Sequence, residues 1–583
     1  MSAASSANFN YGFPTPGPQN PTGQDVMNHV FFVSSTEWKQ LREEQQFDYI
    51  IIGSGFCGYA FAQRVLEKHP QSRILILERG PFFLPEHFQN LPLPYQQTLG
   101  GLSETFPWTL SLETHNGRYI KWQHGMVPFF GGRSIMWSAW CPRPTPKEMD
   151  GWPEPVIASA HRYYPEAEKL LHVIPANEID QERDSPSPRG HRPIYGVIQE
   201  KLFDLLKEGL NKIPSATRVI PAPLAVGAAN LELDFQKYAV PGPLLELADK
   251  QSRLAQMGKG ADLKIATECR VESIVSQNGK ATALNTSRGV VSVGEAEVVL
   301  AMGTIPATTL VLNSFPQVKN AGGRFTAHFI SAIVARIPRK DYDFNARIGE
   351  LELAAIYLAG VDKKTGGQYH IQMTALSDRN PVKNAQLAAR HMPDVVATAS
   401  MEQLITSEDY IVFVCAVLGE MNHRNKDSWL RLNGEQDPLT NVTLQATEDD
   451  YDASVWNTMD EGTYQSLEKV LSPKGPEHVE YWHPGVGNAG EWRHQRPSVE
   501  QIRVPGLVHE GSTMWIGEDK DSVVGLDYRP RGVENVSVTG GSLWPASGSW
   551  NPTLTMVALA QHLADMRADE RLEVTKKAVQ AGA

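Results

Sequence analysis

Residues 47–70 read FDYIIIGSGFCGYAFAQRVLEKHP: an apolar run, a glycine-rich turn, then a helix-forming stretch. The run at Tyr49–Ile52 has the β-branched composition of a fully buried strand. Gly53, Gly55 and Gly58 follow it directly in the spacing G-x-G-x-x-G. The first glycine permits a tight turn, the second lets backbone approach a pyrophosphate, and the third packs helix on strand. The helix start adds unpaired N–H groups and the positive end of a dipole. Ser54, Phe56 and Cys57 fill the intervening positions of this predicted phosphate-binding turn.

Such turns also occur as plain structure, and the next strand strengthens the case. RILILERG (73–80) ends in Glu78, 20 residues after Gly58, where a carboxylate accepts from a ribose 2′-hydroxyl. The plain alternative is a surface pair between Glu78 and Arg79. A free 2′-hydroxyl suits NAD or FAD and disfavours NADP. The turn predicts a dinucleotide without saying which.

A chain of 583 residues can bury a large core, split over two or more domains. Its 41% hydrophobic and 21% charged residues are ordinary for a soluble globular protein. The formal charge is −12 with no block of Lys or Arg, which argues against nucleic acid and anionic membrane as partners. Cys57, Cys141, Cys269 and Cys415 lie far apart without a CxxC, so neither a disulfide framework nor a metal site is suggested. The first 23 residues have no basic and apolar signal pattern, and no apolar run reaches the roughly 18 residues of a spanning helix. The expectation is a cytoplasmic protein whose N-x-S/T triplets at Asn285, Asn441 and Asn535 are chance matches. Homo-oligomerisation is left open.

Residues 1–45, rich in Gly, Pro, Ser and Asn, read as an N-terminal arm. Residues 264–301 alternate like antiparallel strands, and 326–504 mixes β-like runs such as YIVFVCAVLGE (410–420) with polar connections. YYPEAEKLLHVI (163–174) reads as helical, as does the stretch opened by Asn551 and Pro552. These readings give an α/β class, α+β overall. A discontinuous nucleotide-binding domain takes 46–150, 260–325 and 505–583, and a second domain with its connections takes 151–259 and 326–504.

Four stretches name the dinucleotide: FFGGRSIMWSAWCPRP (129–144), LAMGTIPATTLVLNS (300–314), VHEGSTMWIGEDKDSVVGLDYRPRGVENVSVTGGSLWP (508–545) and ASGSWNPTLTMVALAQHLADM (546–566). In this order, after the glycine turn, they resemble the glucose–methanol–choline (GMC) family of FAD oxidoreductases. NPTLT looks closest to the pyranose 2-oxidase branch. The resemblance implies a Rossmann-like FAD-binding domain and a substrate-binding domain on a mostly antiparallel sheet. It implies oxidation of a CH–OH group by hydride transfer to flavin N5, with oxygen or another electron acceptor completing the cycle. It places FAD contacts at Gly132, Ser134, Met136, Trp137, Ser138, Val271, Gly303, Asn551, Pro552 and Thr553, beside those of the glycine turn, Glu78 and Arg79.

In that family a His in an H-x-x-G-T context and a later His or Asn form the catalytic pair. His509 heads HEGST here, and Asn551 follows 42 residues later. The chemistry needs such a pair: an imidazole takes the hydroxyl proton, and an amide holds the oxygen so that its C–H faces the flavin. Asn551 before Pro552 equally suits a helix N-cap. A helix starting there favours negative charge near Asn551.

Met136 stands where the pyranose-oxidase-like pattern has a His tethering the flavin, so the resemblance implies noncovalent FAD. It puts the Ser138 hydroxyl near flavin N5. Trp137, Trp140, Trp515, Trp544 and Trp550 suggest aromatic walls, at least two of them core. The leading substrate is a sugar, glycoside or other polyol. An aryl or natural-product alcohol, or a non-redox FAD-containing lyase, is the alternative.

Overall fold

The computed structural model describes residues 20–44, 46–91, 105–179, 193–227, 233–394, 399–485 and 489–581. The apolar run forms β1 (Tyr49–Ile52), the glycine turn leads into α1 (Phe56–Lys68), and RILILERG supplies β2 (Ile74–Leu77). β3 (Leu263–Ala266), β4 (Glu297–Leu300) and a short strand at Val536–Val538 complete one five-stranded sheet in the order Val536–Val538, β4, β1, β2, β3. Every pairing in it is parallel, and β1, β2 and β4 are buried throughout. That accounts for their Ile, Leu and Val content, since a sheet covered on both faces has no polar side. Residues 271–292 add a three-stranded antiparallel ribbon. α2 (Thr304–Ser314) begins right after β4.

The second sheet is nine-stranded and almost wholly antiparallel. Its centre is four long strands: β5 (Thr326–Pro338), β6 (Leu351–Val361), β7 (Gln368–Asp378) and β8 (Tyr410–Glu420), paired in the order β5, β8, β7, β6. β9 (Arg503–Gly511) pairs with the other edge of β5. The last helix, α3 (Thr553–Ala581), packs against α1 and the helix Glu154–Leu171. The two-sheet α/β class expected from the sequence is the observed one.

The arm needs correction. Residues 1–19 and 45 lie outside the described residues, but 23–44 hold two helices, Gly23–Val30 and Ser35–Glu44. Thr22 and Asp25 form a capping box on the first helix. Val33, Trp38 and Leu41 enter the core, and Trp38 Nε1 donates to the Arg288 carbonyl at 2.8 Å. The Gly, Pro and Asn bias ends near residue 22, so composition averaged over 45 residues hid two short amphipathic elements. Among the described residues no helix is long and apolar enough to cross a membrane.

Candidate active site

A cavity of about 650 Å³ opens where the carboxyl ends of the parallel strands face the antiparallel sheet. Ligands of open α/β sheets bind at that end. Gly53 lines it at φ +105°, and a side chain there would stand 2.5 Å from the Ala301 carbonyl oxygen. Gly55 is the N-cap of α1 and offers no side-chain cap, so the first N–H groups of the helix face the cavity. Gly58 does not line it. A Cβ there would meet Gly53 O at 2.1 Å, so this glycine serves helix–strand packing, the part of the motif its spacing assigned to it.

Glu78 is buried at the cavity wall. Oε2 accepts from Ser54 N at 3.1 Å and Ser54 Oγ at 2.6 Å, and Oε1 accepts from Gly80 N at 2.8 Å. Burial raises its carboxyl above the ordinary range, while the bonds from Ser54 and Gly80 oppose that rise. A carboxylate has about four acceptor positions, so three filled ones leave room for a ribose hydroxyl. Ser54 Oγ also accepts from Gly131 N at 2.9 Å, tying the turn to the 129–144 motif. The alternative surface pair with Arg79 is not what forms: Arg79 Nη1 turns instead to Met126 Sδ at 2.9 Å. Burial pushes the Cys57 thiol up to about 12, so it is no nucleophile.

Phe56, Cys57, Arg79, Gly132, Met136, Trp137, Ser138, Val271, Gly303, Pro552 and Thr553 all line the same cavity. Ser134 does not. Its Oγ donates to Gly131 O at 2.7 Å and accepts from Val240 N at 3.0 Å, so it braces the loop. A short 3₁₀ turn at Gly132–Ile135 rotates the hydroxyl inward, which spacing alone could not show. Ser138 lies beside the Asp394 carboxyl, which burial pushes up to about 7. Of the five tryptophans singled out, Trp137, Trp140 and Trp544 line the cavity. Trp550 packs on Trp152 and Trp544, and Trp515 lies under Arg324, whose guanidinium is 3.9 Å from the ring centre.

His509 on β9 and Asn551 just before α3 line the same cavity. β9 slips register against β5: Thr326 faces Gly511 but His328 faces Val508, so β9 has one extra residue there. His509 lies in this bulge at φ +61°. A non-glycine residue held there costs about 1–3 kcal/mol, strain that clusters at functional sites. His509 Nδ1 lies 2.9 Å from His328 Nδ1. Burial first, then His328, His370 and Arg133, hold the His509 imidazole well below its ordinary range, so it is neutral at pH 7. Asn551 Oδ1 accepts from Gln372 Nε2 at 2.7 Å. The N-cap reading is therefore corrected: its oxygen is turned to β7 rather than to the first N–H groups of α3.

His328 and Gln372 were missed by sequence reasoning. Each sits within a long strand, TAHFISAIVARIP or QYHIQMTALSD, among other polar residues, and reads as a satisfied core group. The one available signal was a polar residue at an inward position of an alternating strand.

Three features of the cavity lining fit FAD: an uncapped helix start behind a glycine turn, an acid with a spare acceptor position, and a second helix start at Pro552. Residues 355–560, which include His509 and Asn551, match the family model described as GMC oxidoreductase. No curated protein matches the chain. Among solved structures, the fold matches the crystal structure of pyridoxine 4-oxidase from Mesorbium loti. The TM-score is 0.53 at 16% identity, over 89% of this chain and 99% of that one, a likeness that speaks for the fold. Residues 355–560 therefore match the GMC oxidoreductase model, in a chain that has the fold of that oxidase.

Proposed function

We propose that the protein is an FAD-dependent oxidoreductase that oxidises a CH–OH group of a sugar, glycoside or other polyol. Its nearest branch is that of the pyranose 2-oxidases, and oxygen or another acceptor takes the electrons. The observation that carries this reading is one cavity lined both by the glycine turn and Glu78 and by His509 and Asn551.

Bound there, FAD would supply the hydride acceptor. The glycine turn, Glu78 and Arg79 would hold its dinucleotide end, and Met136, Ser138 and Thr553 would face its ring. His509, neutral through burial, has a lone pair to take the hydroxyl proton. Asn551 gives its oxygen to Gln372 and keeps Nδ2 to donate to the substrate oxygen, which fixes the C–H direction. The start of α3 favours negative charge beside Asn551 by about 0.3–2 kcal/mol. Trp137, Trp140 and Trp544 give the cavity flat apolar walls that exclude water and stack on sugar C–H faces or aryl rings alike.

The test is an anaerobic screen of sugars, glycosides and aryl alcohols, following the oxidised flavin band. Bleaching by polyols is the expected result. Bleaching by aryl alcohols alone would move the substrate to that class. Bleaching by none, with turnover of a cyanohydrin, would replace oxidation by a lyase reaction.

Met136 leaves the flavin without the histidyl nitrogen of the pyranose-oxidase-like pattern. Acid precipitation is expected to release intact FAD into the supernatant. Flavin retained in the pellet would show a covalent bond elsewhere.

Because Asn551 bonds β7 rather than capping α3, Asn551→Ser is expected to regain no stability over Asn551→Ala. Both should slow flavin reduction about tenfold or more, the worth of one lost hydrogen bond. Reduction at the wild-type rate in Asn551→Ser would remove the amide from the reaction.

A further inference from the structure

The rings of His509 and His328 meet edge to face, with centroids 5.0 Å apart and planes at 87°. Their Nδ1 atoms are 2.9 Å apart, so one must carry hydrogen and the other a lone pair. Burial keeps both rings neutral at pH 7, with His328 held down to about 4. The two imidazoles are therefore opposite tautomers. The role proposed for His509 decides which. Its Nδ1 is turned to His328, so a base that faces the cavity must keep its lone pair on Nε2 and its hydrogen on Nδ1. His328 then carries its own hydrogen on Nε2, leaving Nδ1 as the acceptor.

We infer that His328 is a positioning residue that accepts the Nδ1–H of His509 and thereby presents the Nε2 lone pair of His509 to the substrate hydroxyl. This rests on His509 being the base. In the step itself the substrate O–H bond breaks and an N–H bond forms at Nε2 of His509. The shared hydrogen stays on His509, because the other nitrogen of His328 is already protonated. His509 becomes a cation, and its bond to His328 becomes charge-assisted, roughly twice as strong as a neutral one. The other groups facing His509 are His370, His124 and Arg133, the last paired with Glu510 at 3.0 Å. Among the described residues, His328 is the one that bonds the His509 ring. The wrong tautomer would point N–H at the substrate and leave no base.

The experiment uses the FAD-loaded protein labelled with ¹⁵N-histidine at pH 7, with long-range ¹H–¹⁵N spectra reporting each tautomer. The His509 and His328 signals are identified by their loss in His509→Gln and His328→Asn. Expected is Nδ1–H for His509 and Nε2–H for His328; the reverse pattern overturns the inference. In stopped flow, His328→Leu should slow flavin reduction about 10–100-fold, a loss typical of an orienting partner, with little change in substrate affinity. His328→Asn, whose Oδ1 can accept Nδ1–H, should recover most of the rate. A wild-type rate in His328→Leu, or an Asn variant as slow as the Leu variant, overturns the positioning role. Should His328→Leu not fold, the wild-type spectrum and the Asn variant still decide. The base assignment fails separately: His509→Ala would then reduce at a near-normal rate, whatever the tautomers.

Discussion

His509→Ala is expected to stay yellow while its anaerobic reduction by substrate slows by about 10²–10⁴-fold, the usual contribution of a positioned base. The two properties separate because the glycine turn and Glu78 are placed by β1, α1 and β2, whereas His509 is carried by β9 of the other sheet. Some stability should also be lost. The variant strips His328 Nδ1 of its partner, and a buried polar atom left alone costs about 1–3 kcal/mol. Relief of the left-handed strain at position 509 does not follow, since alanine also has a Cβ. Stopped-flow reduction with any alcohol the wild type accepts is the measurement. A rate within a few-fold of wild type would mean another group takes the proton, and His124, which also lines the cavity, would be examined next.

Gly58→Ala is expected to remove the colour altogether. The added methyl would sit 2.1 Å from Gly53 O and 3.2 Å from its carbonyl carbon, atoms of the very turn proposed to hold the FAD phosphates. No side chain can swing away, so α1 must move off β1. Overpacking of this kind costs about 1–3 kcal/mol and occasionally more. Because the displaced backbone is the binding turn, the same energy should appear as weaker FAD binding, tenfold for each 1.4 kcal/mol. Flavin content after gel filtration and the melting temperature of the apoprotein give the two readouts. Full occupancy in this variant would mean that the close approach of α1 to the turn is not needed for FAD.

The nucleotide half was legible because its signals are local. A strand buried on both faces must be apolar at every position, and a glycine turn must fall at its end, so Tyr49–Gly58 declared itself. Asn551 and Pro552 marked the last helix as plainly, yet the partner of Asn551 lies on β7, 179 residues away. Cross-sheet partners leave no mark on spacing. The same holds for His328, which meets His509 across 181 residues only because β5 and β9 are neighbours. Ser134 fell to a different limit: a motif fixes the path of a loop before it fixes where each hydroxyl points.

The slipped register of β9 also bears on how such a chain can diversify. His328 and His509 ride on adjacent strands of one sheet, so lengthening or replacing the connections between strands leaves their separation unchanged. Removing one residue within 508–511 would instead erase the bulge and turn His509 to the opposite face. Insertions can therefore accumulate in the loops and reshape what enters the cavity, while the length of this short segment has to stay constant.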